Sequence, residues 1–345
     1  MRRLMIAGAL CAVVAGAPRA QAPAGVVIGV GNFIHVVADL ERALTFYRDA
    51  LGMEAQGNAR AGVATRPFLD TWEILRLYDS VGAQYRVGAT LVPGSPMRAE
   101  FIEVTAPDRR AIRPRIQDPG AATLVLTVRD LEATLARVQA AGGAVVTTGA
   151  RPVALADAQR RGRAVLVSDP DGFYVQLVQR DAALPASAPA GNVVDVGFAA
   201  TVADLDRTLA LFRDTLGFDP QLDPSENDPA RLALYGLPEA RYRRVTALVP
   251  GTTFPVEFTE LGNVPRRRFQ SRPRDPGSSI LRLRVGDLDQ ALGALDEAGV
   301  RIVSADGEPV EVVGANATQH FAITVTPDNL FVQVVQQVPA AAPAR

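Results

Sequence analysis

Apolar residues follow two rhythms along this chain, and the rhythms alternate in the same order four times. Phe33, His35 and Val37 alternate with their neighbours as a strand does. Leu40, Leu44 and Tyr47 then recur at helical spacing. Between the two patterns stands Asp39, where a helix wants a side chain that accepts hydrogen bonds from its unpaired N–H groups. Asp130, Asp204 and Asp287 occupy the same junction further on, and Gly52, Gly142, Gly217 and Gly299 close the four helices. After the glycines come shorter β-type runs, such as 144–146, 163–167 and 173–178. The order is strand, helix, then several strands, which predicts an α+β fold of four tandem βαβββ modules.

The modules are copies. Residues 38–52 return as 203–217, Leu91-Val92-Pro93-Gly94 returns as Leu248-Val249-Pro250-Gly251, and Asp118-Pro119-Gly120 returns as Asp275-Pro276-Gly277. The halves stay in register from Tyr78 and Tyr235 onward, with a few extra residues in the first half between Gly52 and Tyr78, read as a loop. The boundaries follow: a first domain over 23–181 with modules at about 29–106 and 119–180, an Ala/Pro linker over 182–190, a second domain over 191–338 with modules at about 191–262 and 275–338, and a frayed tail over 339–345. Arginine-rich connections, 108–118 and 265–275, read as solvated links between modules.

Residues 1–22 read as a cleavable signal: Arg2 and Arg3, an apolar run from Leu4 to Ala17, then Ala20-Gln21-Ala22 before the cut. Export to the periplasm or beyond follows, with no membrane attachment after cleavage. The one cysteine, Cys11, leaves with this segment, so the mature chain has no disulfide and no thiolate. The net charge of −1 argues against a nucleic-acid partner. Every basic residue is arginine, which removes Schiff-base and phosphate-loop lysine chemistry.

Three motifs carry a resemblance: Phe33-Ile34-His35-Val36-Val37-Ala38-Asp39-Leu40, Phe46-Tyr47-Arg48-Asp49-Ala50-Leu51-Gly52, and Asp169-Pro170-Asp171-Gly172-Phe173-Tyr174-Val175-Gln176-Leu177. The chain resembles the vicinal oxygen chelate superfamily of glyoxalases, bleomycin resistance proteins and extradiol dioxygenases. The resemblance implies modules paired into two glyoxalase-like domains with curved mixed sheets, each framing a cleft. It implies metal ligands on the first strand, four residues before the capping aspartate, and on the last strand. Those positions read His35, Leu126, Ala200 and Leu283, then Glu103, Gln176, Glu260 and Gln333. His35 with Glu103, aided by Gln176, is therefore the candidate centre for one divalent ion (Zn, Ni, Mn or Fe), and Glu103 is the candidate catalytic group. Pairing of modules within a half or of the first with the fourth stays open; the latter would bring Gln333 and His320 near His35.

By strand parity, the face of Phe33 and His35, with Leu126, Ala200 and Leu283, would line the cleft and favour an apolar or aromatic ligand. Tyr85-Arg86 and Tyr242-Arg243 recur and serve either as anion anchors or as packing pairs; Glu260 repeats Glu103 without a histidine partner. Glu100 and Glu257 fall on the other strand face and read as solvated or paired. Arg282 and Arg284 fall on the helix-facing side, with no role assigned. The resulting expectation is an exported protein, monomer or homodimer, that binds a small apolar or aromatic molecule with at most one degenerate metal site. The alternative is a metal-dependent lyase or isomerase of glyoxalase type; a third is a partner-binding role with closed clefts.

Overall fold

The computed structural model describes residues 26–54, 67–93, 97–156, 161–223, 227–314 and 317–339. Residues 1–22, read from sequence as a signal, lie outside them, as do the residues beyond Pro339 read as a tail. All four capping aspartates act as their positions demand. The carboxylates of Asp39, Asp130, Asp204 and Asp287 accept from the backbone N–H groups of Arg42, Ala133, Arg207 and Gln290 at 2.9–3.0 Å. The four closing glycines have φ between 75° and 87°, a conformation that costs other residues a Cβ clash.

Module one holds β1 (Val27–Val36), α1 (Leu40–Thr45), α2 (Trp72–Leu77), β2 (Tyr85–Leu91) and β3 (Arg98–Val104). Module two holds β4 (Ala122–Val128), α3 (Leu131–Ala140), β5 (Ala144–Val145), β6 (Val153–Leu155), β7 (Gly162–Ser168) and β8 (Tyr174–Arg180). Module three holds β9 (Val193–Val202), α4 (Leu205–Leu209), β10 (Gln221–Leu222), α5 (Pro229–Leu234), β11 (Arg241–Leu248) and β12 (Pro255–Gly262). Module four holds β13 (Ser279–Val285), α6 (Leu288–Glu297), β14 (Arg301–Ile302), β15 (Val310–Val313), β16 (Ala317–Val325) and β17 (Phe331–Pro339). The helix α2 lies in the stretch read from sequence as a loop.

The sheets do not follow the two halves. One mixed sheet has the order β14-β16-β17-β13-β1-β3-β2, with β15 on β16, and so joins module one to module four. The other runs β10-β11-β12-β9-β4-β8-β7-β5, with β6 on β7, and joins module two to module three. In each, the first strands of the two modules lie antiparallel at the centre, β1 against β13 and β4 against β9. Both arginine-rich links therefore pass from one sheet to the other; Arg110 and Arg266 to Arg268 are solvent-exposed as expected, while hydrogen bonds tie the links to each other. Asp118 accepts from the N–H of Arg267 (2.8 Å), Asp275 from that of Arg110 (2.9 Å), and Ile112 N–H donates to the Pro276 carbonyl (2.8 Å). Arg272 and Arg274 add ion pairs to Asp108, whose carboxyl they hold down at about 2.

The strand alternation read from sequence holds, but the face assigned to the cleft is the opposite one. Phe33, Val37, Leu124, Leu126, Phe198, Ala200, Leu281 and Leu283 lie in one core with Leu40, Leu44, Leu131, Leu205 and Leu288 of the four helices. A helix with an apolar stripe must bury it on a sheet face, and it takes the more uniformly apolar one. The other face of the first sheet packs Ile34, Val36, Ile102 and Ile280 under Leu75, Leu77 and Tyr78 at α2. The second sheet packs Val125, Leu166 and Leu261 under Leu232, Leu234 and Tyr235 at α5. Each of these short helices reaches across its cleft onto the partner module, α2 onto β15 and β16, α5 onto β6 and β7.

Candidate functional site

Within every module the last strand lies parallel to the first, and the register sets equivalent positions. Ile34 faces Glu100, Val125 faces Gln176, Ala199 faces Glu257 and Arg282 faces Gln333. These four acceptors point to the cleft side. Three residues later stand Glu103, Gln179, Glu260 and Gln336, on the helix side. They accept from the first helical N–H of Leu40, Leu131, Leu205 and Leu288 at 2.9, 3.2, 3.0 and 3.3 Å. The module-one and module-three counterparts of Gln176 and Gln333 are thus Glu100 and Glu257, whereas Glu103 and Glu260 belong to a fourfold helix-capping set.

Glu103 is also held by Arg86, at 2.7 Å. His35 is fully buried on the same side of the sheet, its ring 4.6 Å from that of Phe173 and edge-on to Phe101 at 6.4 Å. Its Nδ1 lies 3.2 Å from the Ser278 carbonyl and its Nε2 3.3 Å from Asp169 Oδ2, which also accepts from the Tyr47 hydroxyl at 3.2 Å. Burial, then the Asp169 charge, pushes the Tyr47 phenol well above its ordinary range. The other Asp169 oxygen accepts from the N–H groups of Asp171 and Phe173 at 2.9 Å. His35 therefore sits where module one meets modules two and four, its Nε2 beside Asp169 but without a hydrogen bond among the described residues.

The cleft side of the first sheet has a different polar group at its centre. β1 carries an extra residue against β13 between Val30 and Phe33, and this bulge turns Gly31 and Asn32 toward Arg282. A Cβ on Gly31 would lie 2.7 Å from Arg282 Cγ and Cδ, so the glycine lets the arginine lie flat across the strand. Arg282 donates to Gln333 Oε1 and, at 3.1 Å, to Glu100 Oε2, while Asn32 Nδ2 donates to Glu100 Oε1 at 2.5 Å. The guanidinium stands 5.4 Å from the Phe321 ring centroid. Gln333 is fully buried, and its Nε2 has no partner among the described residues. Tyr78 sits behind; burial raises its phenol strongly, Arg282 pulls it back and Glu100 adds to the rise.

The second cleft repeats the acceptors with other cations. Glu257 takes Arg244 at 2.7 Å and Arg231 at 3.7 Å, Arg244 also pairs with Asp223, and Tyr235 Oη lies 3.4 Å from Glu257. Arg231, Arg244 and Glu257 are all buried. Gln176 Nε2 is without a partner there among the described residues, as Gln333 Nε2 is in the first cleft.

The remaining sequence candidates are dispersed. Phe33, Leu126, Ala200 and Leu283 are in the core between the sheets. Tyr85 and Tyr242 are buried in the cleft-side cores, and Tyr242 Oη accepts from Asp228 N–H at 3.3 Å. Their neighbours point away, Arg86 to Glu103 and Arg243 to Asp206 at 2.7 Å. His320 pairs across β16 and β17 with Gln336 and lies 3.7 Å from Glu311, on the face opposite Phe321. Asn32, Glu100, Tyr78, Arg282, Arg231, Arg244 and Glu257 were not singled out as site residues from sequence. Aligning the last strands of all four modules with one another, so that Glu100 rather than Glu103 matches Gln176, would have brought Glu100 forward.

Do these donors fit a divalent metal? In the first cleft, the guanidinium of Arg282 already occupies both Gln333 and Glu100. In the second, arginines hold Glu257. On the helix side, His35 and Glu103 are each engaged elsewhere. Among the described residues no group of three or more His, Cys, Asp or Glu is placed to hold an ion. The donor sets do not fit one.

Residues 29–177 match the model of the Glyoxalase/Bleomycin resistance protein/Dioxygenase superfamily. No curated protein matches the chain in sequence. Among solved structures, a glyoxalase I mutant from Zea mays is similar over 89% of this chain and 93% of its own, at 17% identity and a TM-score of 0.54. A putative dioxygenase from Bacillus subtilis subsp. subtilis is similar over 91% and 86%, at 11% identity and a TM-score of 0.51. At these identities the likeness is one of fold.

Proposed function

With residues 29–177 belonging to the glyoxalase/bleomycin resistance protein/dioxygenase superfamily, we propose that the chain is an exported small-molecule-binding protein that works through the cleft between modules one and four, without a divalent ion. The observation that carries this reading is Arg282. A guanidinium bonded to both cleft acceptors supplies the positive charge that a metal would otherwise bring. A doubly charged ion about 4 Å from it would meet repulsion of roughly 8 kcal/mol at an effective dielectric of about 20. A glyoxalase-type reaction through His35 and Glu103 would need both to leave buried partners on the far side of the sheet. Ile34, Ile102 and Ile280 are covered by Leu75, Leu77 and Tyr78, so the open part of this cleft is the space beside Arg282.

Elemental mass spectrometry on protein purified without chelator, with thermal shift against Zn, Ni, Mn and Fe ions, tests the metal-free reading. The expected result is substoichiometric metal and no shift. A near-stoichiometric ion lost in both Glu100→Ala and Gln333→Ala would overturn it. Export is tested by N-terminal sequencing of secreted protein, with Pro23 expected first; a retained Met1 would refute it.

A further inference from the structure

We infer that the ligand of the first cleft is an amphiphilic organic anion, its carboxylate-like head held by Arg284 and Arg282 and its apolar body lying in the larger cavity beneath the Ala/Pro linker. This rests on the proposed cleft for location only. A cavity of ≈ 230 Å³ opens beside Arg282, and its polar side chains are Asn32, Arg282, Arg284, Gln319 and Gln337. No carboxylate lines it. Arg282 is balanced by Glu100, but the Arg284 side chain makes no hydrogen bond or ion pair among the described residues. It lies extended across Gly29, where a Cβ would stand 3.7 Å from its Cδ. Behind the cavity, the Nε2 of fully buried Gln333 has no partner among the described residues, though Gln333 is not part of the cavity wall.

Arg284 and Ile28 also line a second cavity of ≈ 590 Å³, within the usual range for a small-molecule site. That cavity is walled by Leu184, Pro185, Pro189 and Phe254 on one side and by Arg180, Thr252 and Thr253 among its polar groups, so the Ala/Pro linker forms part of a mixed binding wall. Its only carboxylate, Asp195, is taken by Arg180 at 2.8 Å. A head group at Arg284 can therefore send an apolar chain or ring past Ile28 under the linker, without burying an uncompensated charge.

Calorimetric titration of the full chain with 1-naphthaleneacetate, and with its neutral amide as control, tests the inference. The acid is expected to bind at least tenfold more tightly than the amide. Arg284→Gln is expected to cost about tenfold or more for the acid, the scale of one charge-assisted contact, and to leave the amide unchanged. Glu100→Gln, which frees Arg282 from its counter-ion, is expected to tighten acid binding. Leu184→Trp, which fills the linker cavity, is expected to weaken it. Equal binding of acid and amide, both lost in Asn32→Leu, would overturn the anion inference while leaving the cleft reading in place. Binding of both that survives Asn32→Leu would overturn the two together. No binding of the acid at millimolar concentration would overturn the anion inference alone.

Discussion

Glu103 discriminates between a capping role and a ligating one. In the structure its carboxylate accepts from Leu40 N–H at 2.9 Å and pairs with Arg86 at 2.7 Å, with the Arg86 side chain only 16% exposed. Glu103→Gln keeps an amide oxygen for the helix, as Gln179 and Gln336 already provide in modules two and four. It loses the charge of a partly exposed pair, worth about 1 kcal/mol after allowance for solvent screening. Glu103→Leu removes both functions. It leaves a buried N–H without an acceptor, at about 1–3 kcal/mol, on top of the lost pair. The leucine variant should thus be less stable than the glutamine variant by about 1–3 kcal/mol, read as a shift in urea midpoint at unchanged slope. Neither substitution should alter metal content or ligand affinity. Equal losses for the two variants would refute the cap, and a bound ion lost in Glu103→Gln without a change in stability would restore the metal reading.

Two further predictions concern the crossing links. The carboxyl of Asp108 is held at about 2 by Arg274 and Arg272, below the ordinary 3.8, so its folded-state value is depressed. Such a group stabilises above pH 3.8 and loses that contribution as pH falls toward about 2. Asp108→Asn should therefore lower the melting temperature at pH 7, with the gap closing over that acid window and shrinking in high salt; a gap that persists at pH 2 refutes the pairing. Gly277 has φ +97°, and a Cβ there would lie 2.3 Å from the Ile112 carbonyl of the other link. Gly277→Ala should cost about 2–4 kcal/mol in urea unfolding, whereas Gly293→Ala, on an open face of α6, should be neutral or stabilising. Comparable effects at the two sites would show that the links do not meet as described.

The repeat, the four caps and the four terminating glycines were legible because each is a local demand met by one residue type. Module pairing was not. β1 pairs antiparallel with β13 across the whole chain, and no short-range signal distinguishes that edge from β4. The cleft face failed for a related reason. Both faces of β1 are apolar, Phe33 and Val37 on one, Ile34 and Val36 on the other, so periodicity gave the alternation but not which side the helices cover. Choosing between Glu100 and Glu103 depends on that side, because residues three apart on a strand point oppositely. The bulge at Gly31 and Asn32, which aims the cleft's polar group, leaves no mark in the hydrophobic pattern beyond a glycine inside a strand.

The two clefts descend from one duplicated design but differ in how they carry charge, and that difference decides which can open to a ligand. Both keep a glutamate, a glutamine and a tyrosine at matching positions: Glu100, Gln333 and Tyr78 in one, Glu257, Gln176 and Tyr235 in the other. In the second, two arginines and Asp223 surround Glu257 and all the side chains are nearly dry. Removing one member of such a set strands a buried charge, at about 3–5 kcal/mol, so a ligand that displaced Glu257 would have to recover that much before gaining affinity. In the first cleft, Arg282 and Glu100 are 16% and 18% exposed, and Arg284 beyond them is exposed with no partner among the described residues. Solvent already shares that pair, so loosening it costs far less. On energetic grounds the first cleft is the one available for binding, and the second braces the molecule around it.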